Sequence, residues 1–163
     1  AVKGSDEIVP VINKYIEAFI SVEDFVIFTR DWHPAGHCSF SEKGGTWPAH
    51  CVAGTGGAEF HPSLKVADGS FVISKAESAS KDAYSAFEGT TLDFELKELE
   101  VNEVWVCGLA TDYCVKSTVL DALKLGYKVK LLTDAVRAVD VKPGDGEAAV
   151  KAMLSAGAVA RKL

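Results

Sequence analysis

Gly108-Leu109-Ala110-Thr111-Asp112-Tyr113-Cys114 follows directly on Val104-Trp105-Val106-Cys107, and these two segments decide the fold. The Val104–Cys107 segment is a short apolar run with high β propensity, which predicts a buried strand. Apolar residues then recur at helical spacing from Val115 until Gly126, a residue that commonly ends a helix. The sequence therefore predicts a strand–turn–helix unit with Cys114 near the helix N-terminus, where the helix dipole and free N–H groups favour a thiolate.

Short apolar runs and amphipathic stretches alternate along the rest of the chain. Strands are predicted at 25–28, 71–74, 104–107 and 129–132 and from Val159, and helices at 5–19, 92–99, 114–125 and 147–154. This alternation predicts an α/β protein with a mainly parallel sheet covered by helices on both faces. Residues 31–70 are rich in Gly, Pro, His and Ser and lack periodicity, and such long irregular segments inside a domain are usually functional.

Length and composition exclude several classes of protein. The 163 residues suit a single domain, 1–163, with a sizeable core. The net charge of −6, with no Lys/Arg cluster, argues against a nucleic-acid surface. No apolar run is long enough to span a bilayer, and no secretory signal is present. The four cysteines form no CxxC pair, so we expect a cytoplasmic protein without disulfides.

Three residues around the first strand and the segment after it are candidate metal ligands. Asp31 and His33 are separated by one residue, and His50 follows in the irregular segment. One carboxylate and two imidazoles suit a divalent ion that keeps open positions for water or substrate, although non-haem iron oxygenases use the same ligand types. The alternative is a set of loop histidines with ordinary hydrogen bonds. His61 fits no ligand pattern and is interpreted as structural.

The remaining candidate residues allow two interpretations each. Ligands of parallel sheets bind beyond the carboxyl ends of the strands, where Asp31, Lys75 and the 108–114 turn all lie. Lys75 is either a solvated residue at the sheet edge or a buried ammonium that stabilises a Cys114 thiolate and a developing oxyanion. Trp47 and Tyr84 are either core aromatics or pocket walls. The other three cysteines, at positions 38, 51 and 107, are interpreted as passive.

Several segments together resemble the nicotinamidase/pyrazinamidase branch of the isochorismatase-like cysteine hydrolases. They occur in the order of that family and cover most of the chain from 29 to 134. The segments are Thr29-Arg30-Asp31-Trp32-His33-Pro34, Trp47-Pro48-Ala49-His50-Cys51-Val52, Gly54-Thr55, Gly57-Ala58-Glu59-Phe60, Ser74-Lys75, Ala83-Tyr84-Ser85-Ala86-Phe87-Glu88-Gly89 and Gly108 to Val115.

The resemblance implies a three-layer, Rossmann-like fold with a six-stranded sheet. It implies that Cys114 is the nucleophile, that Lys75 belongs to the catalytic triad, and that a cis peptide joins Leu109 to Ala110. Further implied roles fall into three groups. The backbone N–H groups of Ala110 and Cys114 form an oxyanion hole; Trp47, Tyr84 and Leu109 bind substrate; Asp31, His33 and His50 hold the metal, with His37 nearby as a further ligand or a contact of metal-bound water.

The implied reaction is hydrolysis of nicotinamide, or pyrazinamide, to the acid and ammonia through a thioester. The implied cofactor is one divalent ion, with zinc favoured over iron or manganese. The partner is this small molecule, with neither nucleic acid nor membrane, and self-association is compatible with the family.

One departure from the family pattern concerns the third member of the triad. The family has an aspartate at the end of a first, central strand, and no matching motif precedes the first helix of this chain. We expect that strand to be omitted from the N-terminus of the sequence rather than missing from the protein. Three other functions stay open: hydrolysis of a different small substrate, non-catalytic binding of metal or nicotinamide, and, with least support, redox chemistry of the thiols.

Overall fold

Helices and strands alternate along the chain, and every strand pair in the described residues is parallel. The computed structural model describes residues 2–67 and 69–163. The strands are β1 (Ile27–Asp31), β2 (Phe71–Lys75), β3 (Glu103–Leu109), β4 (Lys128–Arg137) and β5 (Val159–Arg161), and the α-helices are α1 (Ser5–Ser21), α2 (Leu92–Glu98), α3 (Lys116–Lys124) and α4 (Asp145–Ser155). None of the helices in this described part is long and apolar enough to cross a bilayer.

The strands form two sheets. In the first sheet β1 pairs with β2, and Asp31 lies opposite Lys75 at the carboxyl end. In the second sheet β4 lies between β3 and β5, and the β3–β4 register shifts between Val106 and Gly108. The shift re-aims the end of β3 just before the turn that carries Cys114.

Successive residues of β4 show that both faces of the second sheet are covered. Leu131 is buried in the larger core cluster together with Val119 of α3 and Met153 of α4. Its neighbour Leu132 is buried in a second cluster with Tyr15 of α1. Because neighbouring side chains of a strand point to opposite faces, α1 covers one face of the sheet and α3 and α4 cover the other. The predicted α/β class with helices on both faces is confirmed.

A cleft of about 970 Å³ separates the two sheets. Residues of both β1 and β3 line it, and it reaches Lys75 and Cys114. Each of these strands pairs with one neighbour among the described residues, so its other edge faces the cleft. The five described strands correspond to those predicted from the sequence; the additional N-terminal strand stays a prediction.

The first strand begins later than predicted. Phe25 is 57% exposed and precedes the strand, which starts at Ile27 opposite Phe71. As a result Asp31 is the last residue of β1 rather than the first residue after it.

Candidate active site

Cys114 lies in a π-helical turn rather than at the beginning of an α-helix. The turn, Thr111–Val115, follows β3, and α3 begins only at Lys116. It is closed by a hydrogen bond of 3.1 Å from the Val115 N–H to the Ala110 carbonyl. The peptide bond between Leu109 and Ala110 is cis, as the family resemblance implies. The sequence thus predicted the place of the turn correctly and its helical type wrongly, because a π-turn has no spacing signal of its own.

Lys75 is buried beside this cysteine. Its side chain is 4% exposed at the end of β2, and Nζ lies 3.4 Å from Cys114 Sγ. The ammonium also donates to the Ala83 carbonyl at 2.9 Å and to Asp31 Oδ1 at 2.5 Å. The alternative of a solvated lysine at the sheet edge is therefore wrong. A buried ammonium needs such partners, because an unpaired charge in the interior is costly.

Burial and the neighbouring ammonium act on the thiol in opposite directions. Burial raises the pKa of Cys114, whereas Lys75 and a hydrogen bond with the Ala110 backbone lower it, and the net direction is upward. The pKa of Lys75 is also raised: burial alone would lower it, but Cys114 and Asp31 favour the charged form more strongly. The simple expectation of a thiolate favoured by a helix dipole is thus incomplete, because the site is more buried than the sequence indicated.

Asp31, His33 and His50 come together as predicted from their order in the chain. One potential ligand atom from each lies within 4.8 Å of those of the other two. Nδ1 of His33 lies 3.0 Å from the His50 carbonyl oxygen, and Nδ1 of His50 lies 2.8 Å from that of Pro48. A carbonyl oxygen only accepts, so each Nδ1 carries the proton and each Nε2 keeps its lone pair for an ion. This donor set fits a divalent metal.

His37 lies behind His33. The two rings are 4.4 Å apart, and His37 is fully buried. Its Nδ1 lies 2.8 Å from Ser39 Oγ, and its Nε2 lies 3.2 Å from the Lys81 carbonyl oxygen. His33, His37 and Asp82 form a second group of potential ligands, but both nitrogens of His37 already have protein partners. His37 therefore supports the His33 ring, and we do not assign it to the metal.

Trp47 and Tyr84 form an aromatic wall with a third residue that the sequence analysis missed. Trp47 Nε1 donates to the Tyr84 hydroxyl at 2.9 Å. The Tyr113 ring lies 4.9 Å from the Trp47 ring and 5.6 Å from the Tyr84 ring. The sequence could have indicated Tyr113, because this residue directly precedes Cys114. Leu109 lies elsewhere, in the cleft between β1 and β3, which Trp47 and Tyr84 do not line.

The chain is similar to known proteins along nearly its whole length. The isochorismatase domain matches residues 1–162. The nicotinamidase of Escherichia coli (strain K12) is 42% identical over 179 residues, which cover 97% of this chain and 84% of that protein. The pyrazinamidase of Pyrococcus horikoshii in complex with zinc shares 46% identity with a TM-score of 0.94, covering 99% of this chain and 88% of that one. PnC1 from L. infantum in complex with nicotinate shares 36% identity with a TM-score of 0.88, covering 99% and 82%.

Proposed function

This chain belongs to the isochorismatase domain family, and on that premise we propose that it is a nicotinamidase that also accepts pyrazinamide. The reaction converts the carboxamide to a carboxylate and ammonia. The nicotinamidases that it resembles, among them that of Escherichia coli (strain K12), support this activity. The observation that carries the mechanism is the contact of 3.4 Å between Cys114 Sγ and the buried Lys75 Nζ, at the edge of the sheet where Asp31 also ends its strand.

Cys114 is the nucleophile in the first half of the reaction. Its sulfur forms a bond to the amide carbon, the C–N bond breaks, and the thiol proton leaves on the departing ammonia. Lys75 stabilises the attacking sulfur, since its ammonium lowers the pKa of Cys114 against the effect of burial. The product of this half is a thioester on Cys114.

The backbone at the two ends of the turn stabilises the oxyanion. The Ala110 backbone lowers the pKa of Cys114, which supports an Ala110 peptide group beside the reacting sulfur. We assign the N–H groups of Ala110 and Cys114 to the oxyanion hole, where donors fixed in advance are worth far more than donors that must reorient.

Water attacks the thioester carbon in the second half. The C–S bond then breaks, one proton of the water returns to the departing sulfur, the other is released to solvent, and the product leaves as nicotinate. Lys75 stabilises the sulfur as it leaves, by the same contact that it makes before the attack.

Asp31, His33 and His50 hold a divalent ion in this proposal, for which zinc is the first choice and iron or manganese the alternatives. Such an ion would supply a Lewis acid for the ring nitrogen of the substrate. Trp47 and Tyr84 provide an aromatic wall for that ring, and their hydrogen bond fixes the wall before substrate arrives. We assign Leu109 to substrate binding from the cleft side, because it lines the same cleft as Cys114.

The four cysteines are all free, which agrees with a reducing compartment, and we propose that the enzyme acts in the cytoplasm.

Release of ammonia from nicotinamide by the purified, metal-loaded protein tests the proposal. Activity should disappear in Cys114→Ala and persist in Cys107→Ala, which removes a thiol whose pKa burial raises to about 12. Nicotinamide and pyrazinamide should be preferred within a panel of small carboxamides. Binding of nicotinamide without ammonia release would instead identify a non-catalytic binder, and preference for another amide would change the substrate.

A further inference from the structure

Asp112 connects the nucleophile turn to a distant loop. Its carboxylate accepts two backbone N–H groups, from Val139 and from Asp140, each at 2.9 Å. These donors lie 27 and 28 residues further along the chain, between β4 and α4. A carboxylate that accepts two N–H groups in parallel fixes both distance and orientation, and bonds to an ionised acceptor are the stronger kind.

The loop whose N–H groups bond to Asp112 is itself held in place. Asp140 has a φ of +53°, an uncommon conformation for a residue with a side chain, and its Oδ1 accepts the Gly146 N–H at 2.7 Å. Gly146 lies in the first turn of α4, and a Cβ added there would lie 2.6 Å from the Ala138 Cβ. Loop and helix are therefore in close contact, and α4 is anchored in the core by Met153. Asp112 is bonded to a rigid support.

The position of Asp112 within the turn gives this bond a consequence for the reaction. It lies midway between Ala110 and Cys114, whose backbone N–H groups form the proposed oxyanion hole. The π-turn is a rare geometry that α3 does not impose, since that helix begins only at Lys116. A constraint on the middle of the turn sets the direction in which these two N–H groups point.

We infer that Asp112 is a positioning residue that holds the turn in its oxyanion-binding geometry, an inference that rests on the proposed function. It does not touch the substrate; it acts through the peptide groups of Ala110 and Cys114. Replacing its carboxylate should weaken stabilisation of the tetrahedral oxyanion much more than it changes the reactivity of the sulfur, which Lys75 still contacts.

Three variants test this in the full chain. Asp112→Asn turns one acceptor into an amide that faces an N–H group, and Asp112→Ala removes both acceptors. Since loss of one oxyanion donor typically costs about 100-fold or more, we expect kcat to fall roughly 10-fold in Asp112→Asn and roughly 100-fold in Asp112→Ala, with KM changed less than about 3-fold. Asp93→Asn is the matched control: the Asp93 carboxylate also accepts two hydrogen bonds, from Lys97 and Tyr127, but it lies in α2 away from the turn, and this variant should retain kcat.

Two readouts separate positioning from a loss of stability. The rate of Cys114 alkylation by iodoacetamide, which needs no oxyanion hole, should fall much less than kcat, because Lys75 still contacts the sulfur. The amide ¹H–¹⁵N resonances of Ala110 and Cys114 should move in both Asp112 variants and stay in place in Asp93→Asn. An unchanged kcat, or a lower kcat with unmoved resonances, overturns the inference. If the wild-type protein releases no ammonia from nicotinamide, the proposed function fails, and the resonances alone decide the role of Asp112.

Discussion

The ammonium of Lys75 lies 3.4 Å from the sulfur of Cys114, although Lys75 belongs to one sheet and Cys114 follows a strand of the other. Lys75 ends β2, and Cys114 follows β3. The remaining contacts of the ammonium, with Asp31 and the Ala83 carbonyl, belong to the Lys75 side of the cleft. The ammonium that lowers the pKa of Cys114 is thus held by the sheet of β1 and β2, whereas the sulfur is held by the turn that follows β3.

Lys75→Met should lower kcat about 100-fold or more, because it removes a fixed positive charge beside the reacting sulfur. Alkylation of Cys114 near neutral pH should also slow, since Lys75 is one of the groups that lower the pKa of this thiol. Lys65→Met serves as the control, because Lys65 is an exposed lysine that pairs with Glu17 away from the site. Equal alkylation rates in wild type and Lys75→Met would contradict the role of Lys75.

The metal site should bind one divalent ion for each chain, measurable by elemental analysis of the purified protein. His33→Asn and His50→Asn should each lose the ion or bind it about 10- to 100-fold more weakly, because each removes an Nε2 lone pair. His61→Asn is the matched control, since His61 is half exposed and lies near Asp6. An ion content that follows His61 rather than His33 and His50 would place the site elsewhere.

Tyr84→Phe should raise KM for nicotinamide by about 5-fold and leave kcat nearly unchanged. The substitution removes the acceptor of the Trp47 N–H but keeps the ring, and a lost hydrogen bond of this kind costs about 1 kcal/mol. Tyr84→Ala should raise KM further, since it also removes the ring that packs against Tyr113. Steady-state kinetics measure both constants. A fall in kcat without a change in KM would contradict the proposal that Tyr84 binds the nicotinamide ring.

Tyr127→Phe should lower the free energy of unfolding by about 1 kcal/mol near pH 7, because the Tyr127 hydroxyl donates to Asp93 Oδ1 at 2.8 Å. Burial and this bond raise the pKa of Tyr127 to about 12. The folded state therefore holds the phenol proton more tightly than the unfolded chain does. This contribution is complete below about pH 10, the ordinary pKa of tyrosine, and is lost as the pH rises towards 12.

Urea unfolding of wild type and Tyr127→Phe across this pH range measures the effect. The gap between the two proteins should narrow as the pH rises above about 10. A gap that stays constant up to pH 11 would show that the pKa of Tyr127 is not raised in the folded protein.

The order of helices and strands followed from the sequence because apolar periodicity reports burial. Leu131 and Leu132 are an example: two adjacent leucines predict a strand buried on both faces, and both are buried in different clusters. The length of β4 was harder to predict, since the strand continues through Thr133 and Asp134 to Arg137. Asp134 interrupts the apolar pattern but accepts the Tyr15 hydroxyl at 3.1 Å, a tertiary contact that no local pattern indicates.

The same division between local and tertiary information holds in the candidate site. Asp31 and Lys75 were predictable as neighbours because both end parallel strands, and they lie opposite one another. The contacts of Asp112 with Val139 and Asp140, and of Tyr113 with Trp47, depend on how distant loops meet. Burial of Cys114, which reverses the expected direction of its pKa, depends on packing and could not be inferred from its place in the chain.

The cleft between β1 and β3 separates the two sheets, so the distance between Lys75 Nζ and Cys114 Sγ depends on how far apart the sheets lie. A small widening of this seam would increase the separation of the Lys75 ammonium and the Cys114 sulfur before any helix unfolds. The reactivity of the Cys114 thiol therefore reports changes in the separation of the two sheets.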